Sequence, residues 1–217
     1  MQVNILGNNN SIINHFISEI RDINIQKDSM RFRRNIERVG EIMAYEISKT
    51  LQYENLEITT SLGIAKAFRI KEQPVVGSIL RAGLPMHQGV LNYFDNAENA
   101  FVSAYRKHHK KDGNLDIQID YLSCPELNDK ILILCDPMLA TGTSMVLTFK
   151  KLMERGIPRH THIVSVIASS EGLTYVKKNL PENVTLWLAA LDEELTAQAY
   201  IVPGLGDAGD LAYGSKV

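Results

Sequence analysis

The sequence predicts an α/β fold, a parallel sheet of about five strands flanked by helices. From Pro74 onward, short apolar, β-prone runs alternate with stretches of helical periodicity. The runs are apolar throughout, as strands are when helices cover both faces of a parallel sheet. The scale also fits, because 217 residues, 45% hydrophobic and 22% charged, can bury one sizeable core and are too apolar for a disordered chain.

The first element is a helix. In 31–52 the apolar residues Ile36, Val39, Met43, Ala44, Ile47 and Leu51 fall on one face, and Asp28-Ser29 upstream offers an N-cap. The strand candidates are Val75–Leu80, Ala100–Tyr105, Ile131–Cys135, His162–Ala168 and Val184–Ala190. Between them lie helix candidates at Pro85–Phe94, Gly142–Arg155 and Glu171–Asn179, with Pro85 suited to a first turn and Gly156 with Pro158 to a stop. The polar segment Arg106–Asn128 breaks the rhythm. It carries Asp112-Gly113-Asn114 and then alternates through Leu115, Ile117, Ile119 and Tyr121, which reads as a hairpin arm projecting from the core. No repeat or linker divides the chain, so residues 1–217 are expected to form a single domain.

Charge and cysteines narrow the function. A net charge of −2 argues against holding nucleic acid through overall charge. Cys124 and Cys135 lack metal-site or disulfide-framework spacing, which fits a reducing cytosol. The first ten residues have no signal-peptide character and no apolar run approaches a membrane span, so a cytoplasmic protein without a membrane partner is expected.

Ligands of open parallel sheets bind at the carboxyl ends of the strands. Three segments there are unusual. Cys135-Asp136-Pro137-Met138-Leu139-Ala140-Thr141-Gly142-Thr143-Ser144 follows a strand and opens a helix, where backbone N–H groups and hydroxyls can surround a phosphate. An ordinary turn with a threonine cap satisfies the same spacing. Ser78-Ile79-Leu80-Arg81-Ala82-Gly83-Leu84 places a lone arginine at the ligand edge, either as an anion clamp or in a surface ion pair. Tyr200–Asp210 packs three glycines into Gly204–Gly209 beside two aspartates, a loop whose backbone can approach a flat ligand.

Taken together, ILRAGL at Ile79–Leu84, DPMLATG at Asp136–Gly142 and YIVPGLGDAGD at Tyr200–Asp210 resemble the uracil phosphoribosyltransferase family over nearly the whole chain. The resemblance implies a type I phosphoribosyltransferase fold with a small hood, to which the N-terminal helices and C-terminal segment contribute. It implies transfer from 5-phosphoribosyl 1-diphosphate to uracil with Mg²⁺, giving UMP and diphosphate. Against the family pattern, Thr143 and Pro85 replace glycines, Ser169-Ser170-Glu171-Gly172 replaces Ala-Pro-Glu-Gly, and Leu211 replaces an arginine.

Roles follow from the resemblance. Pro137, Met138, Leu139, Ala140, Thr141, Gly142, Thr143 and Ser144 would form the phosphate turn, with Ala140–Ser144 on the 5′-phosphate and Asp136 on the ribose hydroxyls. Arg81 and Arg106 would neutralise the leaving diphosphate beside an Mg²⁺ held mainly by substrate. Ile201, Gly206 and Ala208 would read the uracil edge through their backbone, with Asp207 between base and ribose. The family also brings a homodimer or higher assembly, with the arm after Arg106 as a contact, and GTP as an effector. His108-His109-Lys110-Lys111 reads as a solvated arm, and Cys135 as a small packed hydrophobe. Two rival readings are a pyrimidine-responsive RNA-binding regulator on the same fold and a transferase for a purine base or orotate.

Overall fold

The computed structural model describes residues 1–108 and 115–215, with main chain alone for 104–108 and 115–118. In chain order its elements are β1 (Gln2–Ile5), α1 (Ile12–Arg21), α2 (Ser29–Ser48), β2 (Tyr53–Thr60), β3 (Gly63–Ile70), β4 (Val75–Leu80), α3 (Leu84–Leu91), β5 (Glu98–His108) and β6 (Leu115–Ser123). There follow β7 (Ile131–Cys135), β8 (Met138–Leu139), α4 (Thr143–Leu152), β9 (His160–Ser169), α5 (Ser170–Asn179), β10 (Val184–Asp192), β11 (Glu194–Leu195), β12 (Ile201–Val202) and α6 (Ala208–Tyr213).

The main sheet runs β1-β10-β9-β7-β4-β5-β6, with β8 added beside β9. Every pairing is parallel except β5 with β6. Alternate residues of one strand serve opposite faces, because strand side chains alternate across the sheet. Ile133 and Cys135 pack under α1, α2 and α3, whereas Leu132 and Leu134 pack under α4 and α5. Fully apolar strands are therefore what two covered faces require.

The long helix begins where Asp28 accepts hydrogen bonds from the N–H of Met30 and Arg31, both at 3.0 Å. It buries Ile36, Val39, Met43, Ala44 and Ile47 as expected. It stops at Ser48, so Leu51 packs on the core from beyond the helix. The arm is an antiparallel β5–β6 pair with a register shift between Ser103 and Ala104. Its expected tip, including His109-Lys110-Lys111 and Asp112-Gly113-Asn114, lies outside the described residues.

Several elements were not foreseen, among them β1 and the β2–β3 pair. β1 adds a sixth parallel strand at the sheet edge; its four residues are too short and too mixed in polarity to declare themselves. β2 and β3 form a separate antiparallel hairpin. It bears exposed Ile64 and Phe68, with Leu62 at the turn 98% exposed. No helix among the described residues is long and apolar enough to cross a membrane.

Candidate active site

The turn that the sequence assigns to phosphate begins at the tip of β7. The Asp136 N–H donates to the Val164 carbonyl at 3.1 Å, and Asp136 Oδ1 accepts from the Met138 N–H at 3.3 Å. The Pro137 carbonyl accepts from the N–H of both Val166 and Ile167, at 3.0 and 3.1 Å. Met138 and Leu139 then pair with Ile167 and Ala168 as β8. The Ser169 hydroxyl donates to the Ala140 carbonyl at 2.6 Å and accepts from the Gly172 N–H at 2.8 Å, capping α5 as well. The turn is thus laced to β9 ahead of α4. Preorganised donors of this kind need not reorganise when an anion arrives.

Gly142 is the N-cap of α4, with a left-handed φ of +76°. A Cβ there would also lie 2.9 Å from the Gly172 carbonyl, so both conformation and space select glycine. Having no side chain, Gly142 cannot cap the helix; Thr141 Oγ1 accepts the Thr143 N–H at 3.4 Å, and the next N–H groups and the helix dipole are left for a ligand's oxygens. Thr143, where the family pattern has glycine, sits inside the helix, and its Oγ1 accepts from Thr141 Oγ1 at 3.1 Å. The glycine that the turn requires is therefore still in place. Ser144 lies in the same first turn. Cys135 is fully buried behind the turn, and burial pushes its thiol pKa up, as expected for a packed hydrophobe.

The second segment touches both others. Gly83 lies against the Cys135 carbonyl, with no room for a Cβ, which would stand 2.6 Å from that oxygen. Arg81, just past β4, donates from Nη2 to Asp210 Oδ1 at 3.0 Å and to the Gly214 carbonyl at 3.2 Å. Its Nε is buried with no partner among the described residues. Pro85 fits as foreseen, in the first turn of α3. Arg106 lies on β5, where the main chain alone is described.

The C-terminal loop is held from a distance. Arg21 makes a two-pronged ion pair with Asp192, at 2.8 and 2.7 Å, and a third bond to the Gly204 carbonyl at 2.9 Å. Asp192 Oδ2 in turn accepts from the Gly204 N–H at 2.9 Å. Both backbone groups of Gly204 are therefore fixed by one ion pair whose carboxylate is buried. Ile201 is buried and pairs with Leu195 in β12. Asp207 caps α6, its Oδ1 accepting from the Asp210 N–H at 3.0 Å, and Ala208 is buried in the first turn of α6. Gly206 is exposed with a φ of +92°. A Cβ there meets nothing closer than Leu211 at 3.6 Å, so within the chain its glycine answers to conformation. Leu211, where the family has arginine, packs against the core.

Arg81 and Gly83 thus bring the segment after β4 against the end of β7 and against the C-terminal segment. The sequence reading missed Arg21, Asp192 and Ser169. Ser169 carried a signal, as a departure from the family pattern directly before a helix.

The match to known proteins covers the same features. The model of the family described as uracil phosphoribosyltransferase matches residues 7–215. A curated uracil phosphoribosyltransferase of Porphyromonas gingivalis is 54% identical over 217 residues, covering all of both chains. This chain belongs to the uracil phosphoribosyltransferase family. Among solved structures, the AQ2163 protein of Aquifex aeolicus superposes with a TM-score of 0.87 at 30% identity, covering all of both chains. A purine phosphoribosyltransferase of Pyrococcus horikoshii superposes at TM-score 0.50 and 10% identity, over 75% of this chain and 91% of that one. At that distance the likeness speaks for the shared fold alone.

Proposed function

We propose that this chain transfers the phosphoribosyl group of 5-phosphoribosyl 1-diphosphate to N1 of uracil, giving UMP and diphosphate. The observation that carries this is the contact of the segment after β4 with the end of β7, through Gly83, and with the C-terminal segment, through Arg81. In the reaction the bond from the anomeric carbon to diphosphate breaks, a bond to N1 forms, and N1 loses its proton. Positive charge builds on the ribose meanwhile, so alignment and electrostatics supply most of the catalysis.

Ala140–Ser144 hold the 5′-phosphate, and Asp136 holds the ribose hydroxyls beside the developing charge. Arg81 and Arg106 meet the diphosphate. The N–H groups of Gly206 and Ala208, with the backbone of Ile201, face the base edge, and Asp207 lies between base and ribose. Mg²⁺ fits this donor set. It would be held mainly by substrate oxygens and water, as Mg²⁺ keeps much of its hydration, with the carboxylate of Asp207 reaching it through a bound water. When bound it neutralises diphosphate charge.

The proposal extends to the chain's setting: one phosphoribosyltransferase domain over residues 1–217, cytoplasmic, with GTP as an effector. Two free cysteines, Cys124 and Cys135, fit a reducing compartment. A homodimer or higher assembly is supported by the exposed apolar Leu62, Ile64 and Phe68 of the β2–β3 hairpin. The comparisons lend no support to the RNA-binding reading. The deciding test is UMP formation from uracil, 5-phosphoribosyl 1-diphosphate and Mg²⁺, with and without GTP. Cytosine and hypoxanthine, which present the wrong donors and acceptors, are expected to fail by roughly 10⁴-fold in kcat/KM. Equal use of cytosine overturns the assignment of the loop.

A further inference from the structure

At the amino end of the sheet, opposite the proposed active site, lies a cavity of about 310 Å³. That is the lower end of the size range of ligand pockets, about 300–1,000 Å³, and suits a single-ring molecule. Its sheet wall is aromatic. His160 and His162 stand 4.7 Å apart between ring centroids, and His162 and Trp187 stand 6.1 Å apart.

His162 is 3% exposed, and its Nδ1 accepts the Trp187 indole N–H at 3.1 Å. An indole nitrogen can only donate, so Nδ1 carries no proton and Nε2 must carry it. That Nε2–H has no acceptor among the described residues, whereas the neighbouring His160 Nε2 is bonded to Thr185 Oγ1 at 2.9 Å. The ring lines the cavity, so this donor is open to an acceptor atom of a ligand there.

The rim adds a charge. Arg159 is engaged by Glu72 at 3.0 Å and by Asp129 at 3.6 Å. Lys71, also lining the cavity, forms no ion pair among the described residues. The lining charges sum to one positive: Lys71 and Arg159 against Glu72.

We propose that this cavity is a second ligand site, taking a planar single-ring monoanion of the aromatic carboxylate class. The ring lies along the His160, His162 and Trp187 wall, an acceptor atom takes the His162 Nε2–H, and the anionic charge faces Lys71. None of these residues belongs to the transferase machinery described above.

Trp187 is the chain's single tryptophan, so its fluorescence reports on this wall alone. The full chain is titrated with benzoate, with neutral benzamide as isostere and with inorganic phosphate as an anion without a ring, and calorimetry supplies the stoichiometry. Benzoate is expected to saturate at one per chain. Benzamide is expected to bind about 10-fold more weakly, and phosphate to cause no saturable change. Lys71→Ala, at an exposed side chain, should remove the preference for benzoate over benzamide. His162→Phe should weaken both ligands, and an unchanged far-ultraviolet spectrum would show that it folds. Saturating 5-phosphoribosyl 1-diphosphate should leave benzoate binding unaltered. The proposal is overturned if benzoate gives no saturable signal, if Lys71→Ala leaves its preference intact, or if 5-phosphoribosyl 1-diphosphate displaces it.

Discussion

The phosphate turn and the C-terminal loop are fixed in place by opposite means. The turn at 136–144 is laced to β9 by main-chain bonds and two hydroxyls, those of Ser165 and Ser169, all from residues that continue its own strand–turn–helix unit or the next one. The loop at 204–209 is held by side chains from afar: Arg21 with Asp192, and Arg81 with Asp210. A turn built on main-chain bonds should tolerate side-chain change. A loop built on side chains depends on each of them. Substitutions in the two regions should therefore fail differently.

The sharpest break targets the ion pair behind the loop. Asp192→Ala leaves Arg21 with a half-buried charge and Gly204 with an unpaired N–H. Breaking such a pair costs about 3–5 kcal/mol. Thermal unfolding should show it, and in enzyme that remains folded the KM for uracil should rise well above any change in KM for 5-phosphoribosyl 1-diphosphate. Arg21→Ala should match it, and the double variant should be little worse than either single one. Fully additive losses, or equal effects on both substrates, would contradict the clamp.

On the turn, Asp136→Asn should keep the fold and lower kcat by roughly 10²-fold, because it removes charge beside the ribose as positive charge develops. Near wild-type kcat in folded protein would take Asp136 out of the chemistry. Arg81→Ala sits between the two regions. It should weaken 5-phosphoribosyl 1-diphosphate by about 1.5–3 kcal/mol, the usual worth of a charge-assisted contact, and uracil much less. Calorimetry on both ligands separates the two. Smallest is Ser169→Ala, which restores the family's residue and removes one hydroxyl link between β9 and the turn. About 1 kcal/mol is expected, seen as a rise in KM for 5-phosphoribosyl 1-diphosphate with kcat nearly unchanged.

The same contrast explains what the sequence could be made to tell. Ile131–Cys135 was bounded to the residue, because an apolar strand between polar turns is a local signal. The phosphate turn was legible for the same reason, its glycine, hydroxyls and acid being contiguous. Arg21 and Asp192 are 171 positions apart, and neither stands in a motif. Only the fold that brings α1 to the end of β10 makes them a pair. The β2–β3 hairpin escaped because most of its residues are exposed, so no apolar face set its period.

The histidine that faces the amino-end cavity also ties folding to protons. Burial, with His160 close by, drives the His162 pKa from 6.5 down to about 3. Above pH 6.5 the ring is neutral in folded and unfolded chains alike, and its contribution is fully present. As the pH falls below that value the unfolded chain takes up a proton that the folded chain refuses. Stability then drains by about 1.4 kcal/mol per pH unit until the folded ring itself titrates. Burial lowers the pKa of His160 and His87 in the same direction. Urea midpoints between pH 7 and pH 4 should therefore fall more steeply for the native chain than for His162→Phe, making the amino end of this sheet an acid-sensitive seam.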